Sequence, residues 1–593
     1  MNGILTTKTL MRDRTKGATN KAKKFVPEWI VRYRGEWLIP DLIAGLAVTI
    51  IVIPQSLAYA LLAGLPPQFG LYASIFPVLV YAVVGSSTTQ AVGPVAITSI
   101  MTYSVLAPLA PAGTPDYGNL AAALSLLSGI IVLAFGVLRL GFLSHLLSRP
   151  VISGFISGSA VLIIVSQLKF ILGVRVEGAT TWDVLRELTR TALEANPHTI
   201  VTGSLALAVL LCTKAWMAKW LRFCGVSYPW ALSLSRLSPV AVVVIATVLV
   251  AKLDLDHRFH VAVVGSIQSG LASFSFTVPG IGTLRQLTIP AGILALIGMV
   301  QNITMAQALA IKRRERFDAN KELVGLGFAN IVAGVYGGMP VGGGLSRSAI
   351  NVAAGAQSPL ASIVSAGAML GVVFFGLGWM ERLPLAVLAA NIVAAALGMI
   401  DIKSFRQAWS YDRADALALL GTAFGVLLFG LQWGIALGVG FSLTTILVRA
   451  STPHIAVIGR IPGTEHFRNI ERHGTETLPG VLFLRIDESL FFGNLAPVEE
   501  RLNGELEKAP NTHDLVLIMS AVNRVDTTAM EALNDINTDF RSRGIRLHLA
   551  EVKGPVQDRL VNSPLWKSLS GAVFLSVNAA FQSLSQDKKP SQP

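Results

Sequence analysis

LIAGLAVTIIVIPQSLAYALLAGLPPQFGLYASIFPVLVYAVVGSSTTQAVGPVAITSIMTYSVLAPLAPAGTP, residues 42–115, contains no Asp, Glu, Lys or Arg. A bilayer core of ~30 Å takes ~20 apolar residues per helix, so this window alone accommodates about three crossings. The rest of the 593-residue chain agrees: 52% of its residues are hydrophobic and only 14% charged, where a soluble protein carries about a quarter charged. A soluble single domain, a secreted disulfide scaffold and a disordered chain are excluded. The chain is a polytopic membrane protein.

The net charge of +13 matters less than its placement. Lys8, Arg12, Arg14, Lys16, Lys21, Lys23, Lys24, Arg32 and Arg34 precede the first apolar run. The positive-inside rule therefore puts the N-terminus in the cytoplasm. Basic flanks of this kind are routine beside membrane spans, so the charge gives no reason to expect a nucleic-acid partner. The apolar run begins after too long a basic lead for a secretory signal, and no small-residue cleavage site follows. Cys212 and Cys224 suggest neither a disulfide framework nor a metal site.

Working outward, apolar segments fall near 41–63, 68–86, 91–108, 119–139, 144–172, 199–219, 238–252, 288–311, 322–336, 344–356, 358–379, 384–400, 413–431 and 433–450. After about residue 452 charges spread evenly, as in a soluble domain, and Pro453 and Pro462 suit a linker. The expected organisation is a basic cytoplasmic N-terminus (1–37), a transmembrane domain (38–451), a linker (452–464), a cytoplasmic α/β domain (465–585) and a disordered tail (586–593). In the soluble part, 481–486, 515–519 and 545–549 read as strands, the last with one wet face. Residues 495–508 read as a helix, and Leu533, Ile536 and Phe540 mark another after the cap signal Asp526-Thr527-Thr528.

Segments 91–108 and 344–356 are too short for a full crossing, and each follows or contains a Gly/Pro break: Gly93-Pro94, and Met339-Pro340-Val341-Gly342-Gly343-Gly344. Paired interrupted segments at corresponding places in two halves point to a transporter's midplane binding site. Loose small-residue helix packing is the alternative. Arg347 is the only charged residue between Glu322 and Glu381, and an arginine within a membrane is costly unless it faces a cavity or a partner. It either snorkels to the interface or lies at a half-helix N-terminus. There free amides, about half a positive charge, the Ser346 hydroxyl and the guanidinium would together attract a small anion. Pro94 suits a first helical turn, leaving the amides of Val95, Ala96 and Ile97 directed outward. Gln55 and Tyr59 share a helix face beyond Pro54, as ligand contacts or interhelical hydrogen-bonders.

Other signals are weak. Asn302-Ile303-Thr304 fits a glycosylation sequon but lies inside an apolar segment. No P-loop, HExxH, CxxC or GxSxG motif is present, and the histidines lack ligand spacing, so no enzyme activity, metal or cofactor is expected. The cluster Lys312-Arg313-Arg314 marks a cytoplasmic helix end.

DLIAGL at 41–46, IPQSLAYA at 53–60, GLPPQFGLY at 64–72, AVGP at 91–94, NKELVGLG at 320–327 and LSR at 345–347 resemble the signature of the sulfate permease (SulP) family. The C-terminal part resembles the STAS domain, shared with bacterial anti-sigma-factor antagonists. The resemblance implies about fourteen segments in a 7+7 inverted repeat, a core domain moving against a gate domain, and a homodimer in the cell membrane. It implies substrate contacts at Gln55, Tyr59, Val95, Ala96, Leu345, Ser346 and Arg347. Many proton- or sodium-coupled members carry an acid in segment eight; the corresponding residue here is Gln301, which hydrogen-bonds but does not titrate. Val525-Asp526-Thr527-Thr528 occupies the place of the antagonists' phosphorylation motif, making Thr527 either a regulatory phosphosite or only a helix cap.

The expected function is secondary active transport or exchange of small inorganic oxyanions, sulfate first, by alternating access. Bicarbonate or chloride transport on the same fold is the alternative. A membrane-anchored STAS signalling protein is the rival from another class.

Overall fold

In the computed structural model, the described residues are 27–586 except 147, 175, 177–180, 226, 228–230, 232–234, 236, 266–279 and 376–377. The basic residues up to 26 and the expected tail from 587 onward lie outside the described residues. The chain divides into two compact units, Met1–Ser442 and Leu443–Pro593.

Each apolar segment contains a helix. These are α1 (Leu38–Leu62), α2 (Phe76–Val84), α3 (Ala96–Leu106), α4 (Pro115–Val137), α5 (Arg149–Leu172), α6 (Pro197–Cys212) and α7 (Ser238–Leu253). The second set is α8 (Ile281–Arg313), α9 (Ala319–Val332), α10 (Leu345–Ala353), α11 (Leu360–Phe375), α12 (Leu385–Leu397), α13 (Arg413–Phe429) and α14 (Leu431–Ser451). Local chemistry sets several of their starts. Thr114 and Asn196 accept hydrogen bonds from the first-turn amides of α4 and α6, and each is followed by a proline whose missing N–H is not needed there. Asp318 caps α9 the same way, accepting from Asn320 N (3.0 Å) and Lys321 N (3.2 Å). Gly173, with φ 72°, closes α5 in the left-handed conformation that costs glycine nothing.

Long helices such as α4 and α5 have the length and composition to cross a bilayer. In contrast, α3 and α10 have 11 and 9 residues. At ~1.5 Å per residue they rise roughly 16 and 14 Å, about half the hydrocarbon thickness. They are half-helices, and the breaks before them are ordered. Val92–Gly93 (β1) pairs antiparallel with Gly342–Gly343 (β2), in the register Val92↔Gly343 and Gly93↔Gly342.

The second unit is an α/β domain. Its sheet runs β4-β3-β5-β6-β7-β8, with strands Ile455–Arg460 (β3), Phe467–Asn469 (β4), Val481–Ile486 (β5), Asp514–Ile518 (β6), Arg546–Ala550 (β7) and Val573–Phe574 (β8). Strands β5 to β8 are parallel, and β3 joins antiparallel. Alternation divides the core. Leu482, Leu484, Leu515 and Leu517 pack with α15 (Leu495–Lys508) and α16 (Thr527–Ser542), while Phe483, Val516 and Ile518 pack with the C-terminal helix α18 (Val577–Gln586) beyond α17 (Gly554–Leu560).

The wet face expected for β7 is kept only at Arg546, which is exposed. His548 is buried, its Nε2–H donating to Asp514 Oδ1 (2.9 Å) and its Nδ1 accepting from Ala572 N (2.9 Å). Both ring nitrogens are satisfied, so the polar side chain enters the interior without an orphaned group. Burial pushes the Asp514 carboxyl upward, but hydrogen bonds from Arg546, His548 and His513 outweigh it and hold the group down at about 2.

Candidate anion-binding site

The β1–β2 ribbon joins the starts of the two half-helices. Because its strands are antiparallel, α3 and α10 leave it in opposite directions, the local geometry an inverted repeat produces. The ribbon extends through Gly344 N donating to Ala91 O (3.0 Å) and Ala91 N donating to Ser348 Oγ (3.0 Å). Asn351 Nδ2 also donates to Thr89 O (2.9 Å). On the β2 side, Asn330 of α9 clamps Val341 with both ends of its amide, at 2.9 and 3.0 Å.

Neither half-helix has a side-chain cap at its N-terminus. The cap residues Val95 and Gly344 are extended, and the first backbone hydrogen bonds come from Ser99 N to Val95 O (3.0 Å) and Ser348 N to Gly344 O (2.9 Å). The amides of residues 96–98 and 345–347 are thus the orphan donors that every helix start leaves. Pro94 is not in the first turn of α3, as its sequence position suggested. It precedes the cap, which moves the free amides one residue along, and its carbonyl is available to another partner.

That partner is Arg347. The residue is 2% exposed, and its guanidinium donates from Nη2 to Pro94 O, across the junction from α10 to the start of α3. No carboxylate pairs with it among the described residues. Glycine at position 93 makes the approach possible, since a Cβ there would collide with the guanidinium. Arg347 therefore lies inside the protein at a half-helix start and does not snorkel.

The other expected site residues lie on the surrounding helices. Tyr59 of α1 is buried, and its phenol is within electrostatic reach of Arg347. Gln55, one turn earlier and just past Pro54, has a buried Oε1 without a hydrogen-bond partner. Gln301 on α8 has the same feature. Helix α1 packs on α3 and α10, and α8 packs on α3 and β2, so the four helices carrying these residues converge on the ribbon. Val95 and Ala96 are buried at the α3 start, with Val95 against Gly342. Leu345 and Ser346 open α10, but their side chains lie outside the described residues. Thr527 sits apart from all of these. It is the exposed first residue of α16, and the cap is Asp526, which accepts from Ala529 N (2.8 Å).

Sequence reasoning missed Gln90 and Ser348, and read Gly93 only as part of a helix break, not as the residue that makes room for Arg347. Asn302 had been visible only as an inaccessible sequon. The acidic and histidine group Asp254, Asp256 and His257 lies beyond α7. Its carboxylates face Arg382 at 3.6 and 4.0 Å, an ion-pair arrangement needing no metal.

A charge-poor helical bundle with two half-helices whose N-termini meet at a buried arginine is the architecture of a secondary transporter for anions. The chain belongs to the sulfate permease family, whose profile matches residues 38–422, and a STAS domain matches residues 474–580. Family members are transporters rather than enzymes, and this protein is an anion transporter.

Among relatives, it is 34% identical to the probable sulfate transporter Rv1739c of Mycobacterium tuberculosis, over 93% of this chain and 96% of that one. It is likewise 34% identical to the chloroplastic sulfate transporter 4.1 of Arabidopsis thaliana, over 88% and 76%. Its fold matches the murine Solute Carrier 26 family member A9 anion transporter in the inward-facing state with TM-score 0.86 and 22% identity, covering 95% of each chain. The transmembrane domain of a cyanobacterium bicarbonate transporter, BicA, matches with TM-score 0.59 and 22% identity, over 68% of this chain and 98% of that one.

Proposed function

We propose that the protein carries sulfate across the cell membrane by alternating access, at a site between the start of α3 (Val95, Ala96) and the start of α10 (Leu345, Ser346, Arg347). Gln55 and Tyr59 of α1 and Gln301 of α8 complete its wall. The observation that carries this reading is Arg347, buried at the junction of two uncapped helix starts with no acidic partner among the described residues. Each helix start contributes about half a positive charge, and with the guanidinium the site presents about two. Sulfate, a dianion, balances that charge; a monovalent anion leaves about one positive charge buried, at a cost of several kcal/mol. The names of the relatives from Mycobacterium tuberculosis and Arabidopsis thaliana point the same way.

The transporter works as a homodimer in the lipid bilayer, with an even number of crossings. Both the basic N-terminus and the STAS domain are then cytoplasmic, and Thr527 is the residue a regulatory kinase would reach. Gln301 in place of an acid fits anion movement without a cation bound at that position.

The test is uptake of labelled sulfate by purified protein in liposomes, with chloride, nitrate and bicarbonate in parallel. Sulfate flux that the other anions compete with weakly is expected. Faster bicarbonate or chloride flux overturns the substrate assignment, and no flux of any anion under any gradient returns the STAS domain to the role of principal active part.

A further inference from the structure

Glu322, in the first turn of α9, is fully buried, and no basic side chain pairs with it among the described residues. Its carboxylate is nevertheless saturated with donors. Oε2 accepts from Ser86 Oγ (2.6 Å), Ser86 N (3.2 Å) and Ser87 N (3.2 Å). Oε1 accepts from Tyr81 OH and from Asn302 Nδ2 (3.0 Å). Asn302 Oδ1 in turn accepts from Gln90 Nε2. Gln90 directly precedes Ala91 and the ribbon, and a Cβ on Gly343 would lie 2.8 Å from Asn302 Oδ1 and collide with the Gln90 amide. The Asn302–Gln90 pair is thus packed against β2, and Gln90 lies two residues before β1 in the chain.

The chain has one possible polarity. A carboxylate only accepts, so the NH2 of Asn302 must face Glu322 and its carbonyl must face Gln90. The NH2 of Gln90 must then face Asn302, which leaves Gln90 Oε1 buried without a donor. A buried amide oxygen left unpaired costs roughly 1–3 kcal/mol. The fold retains this arrangement at the one place where both half-helices begin. Asn302 also adjoins Gln301 in sequence, so the turn of α8 that bears Gln301 is the turn anchored by the chain.

We propose that Asn302 is a positioning residue for anion binding. By bridging Glu322 to Gln90 it fixes the β1–β2 ribbon, and with it the two helix starts and Arg347, relative to the turn of α8 that carries Gln301. This rests on the anion site described above and adds the element that sets its geometry. The cost of misplacement is steep because orphan amides bind an oxyanion only within hydrogen-bond distance, and a shift of about 1 Å removes much of that interaction.

The experiment uses full-length Asn302→Leu, Gln90→Met and the double variant, with Tyr81→Phe as a control that removes a donor to Glu322 outside the link to Gln90. Sulfate affinity is read by titration of purified protein and by the KM of uptake in liposomes. Each single variant is expected to raise Kd and KM at least tenfold with maximal flux within about twofold of wild type. The double variant is expected to match the larger single effect, since both act through one link. Tyr81→Phe is expected to lower the melting temperature while leaving Kd unchanged.

Wild-type Kd in both single variants, or an equal rise in Kd in Tyr81→Phe, overturns the proposal. Should Asn302→Leu fail to fold, Gln90→Met decides alone by the same criterion. Wild-type protein that binds no sulfate refutes the assignment of the site to sulfate instead, a result distinguishable from any variant's behaviour.

Discussion

Replacing Arg347 by glutamine acts on two quantities that move in opposite directions. Arg347 is 2% exposed, and its guanidinium donates to the Pro94 carbonyl with no carboxylate pairing with it among the described residues. An uncompensated buried charge costs several kcal/mol, so its removal should raise the melting temperature of the anion-free protein. With sulfate bound, the guanidinium fork supplies charge-assisted hydrogen bonds of about 1.5–3 kcal/mol each. A net loss of about 3 kcal/mol weakens binding roughly 100-fold. At a sulfate concentration one hundred times the wild-type Kd, the ligand stabilises wild type by about 2.7 kcal/mol, and the variant by about 0.4 kcal/mol. Thermal unfolding of the purified protein with and without sulfate reads both effects at once. The expected signature is a higher baseline melting temperature and a nearly absent sulfate shift. Arg347→Lys should fall between, keeping a point charge and losing the fork. A sulfate shift and Kd unchanged in Arg347→Gln would refute the reasoning, and leave the two helix dipoles as the anion-attracting element.

Gly93→Ala should reproduce the affinity loss of Arg347→Gln without altering charge, because the new methyl occupies the space of the guanidinium; wild-type sulfate affinity in that variant would show that Arg347 has room to move aside. Ser346→Ala should weaken affinity in the same direction but more mildly, by about 1 kcal/mol or roughly fivefold, since a neutral hydrogen bond is lost rather than a charge; titration of the purified variant checks it. Wild-type uptake should depend little on proton or sodium gradients, and Gln301→Glu should introduce a pH dependence by adding a titratable group; strongly proton-driven uptake by wild type would show that another residue couples transport. In the soluble domain, Asp514 is held below its unfolded value of about 3.9, down at about 2, so the unfolded chain takes up that proton first. Its stabilisation is complete above about pH 4 and fades as pH falls toward 2, so the melting-temperature gap between wild type and Asp514→Asn should narrow over that interval.

The helical segments and the soluble strands were legible in the sequence because the free energies that specify them are local. A run of apolar residues partitions into the bilayer wherever it sits, and the short apolar run 481–486 or helical spacing at Leu533, Ile536 and Phe540 reports a buried element directly. The two breaks were legible for the same reason: Gly93-Pro94 and the glycines at 342–344 cannot continue a helix. The lone charge beyond a Gly-rich break marked Arg347 and, beside it, Ser346, the shared helix face beyond Pro54 marked Gln55 and Tyr59, and the family motifs then implied that all four are substrate contacts. What periodicity cannot report is a partner. His548 alternates as an outward-facing residue, yet Asp514 on the neighbouring strand β6 draws it inside.

The sequence by itself thus determined the class of protein, the positions of its helices and the two places where they are interrupted. Tertiary structure alone decided that the interruptions pair as an antiparallel ribbon, that Arg347 reaches a carbonyl 253 residues away, and that an apparent sequon asparagine joins Glu322 to Gln90. The physical reason is that a buried hydrogen bond or charge depends on which groups packing brings within about 3 Å, and residues hundreds of positions apart carry no local trace of that encounter.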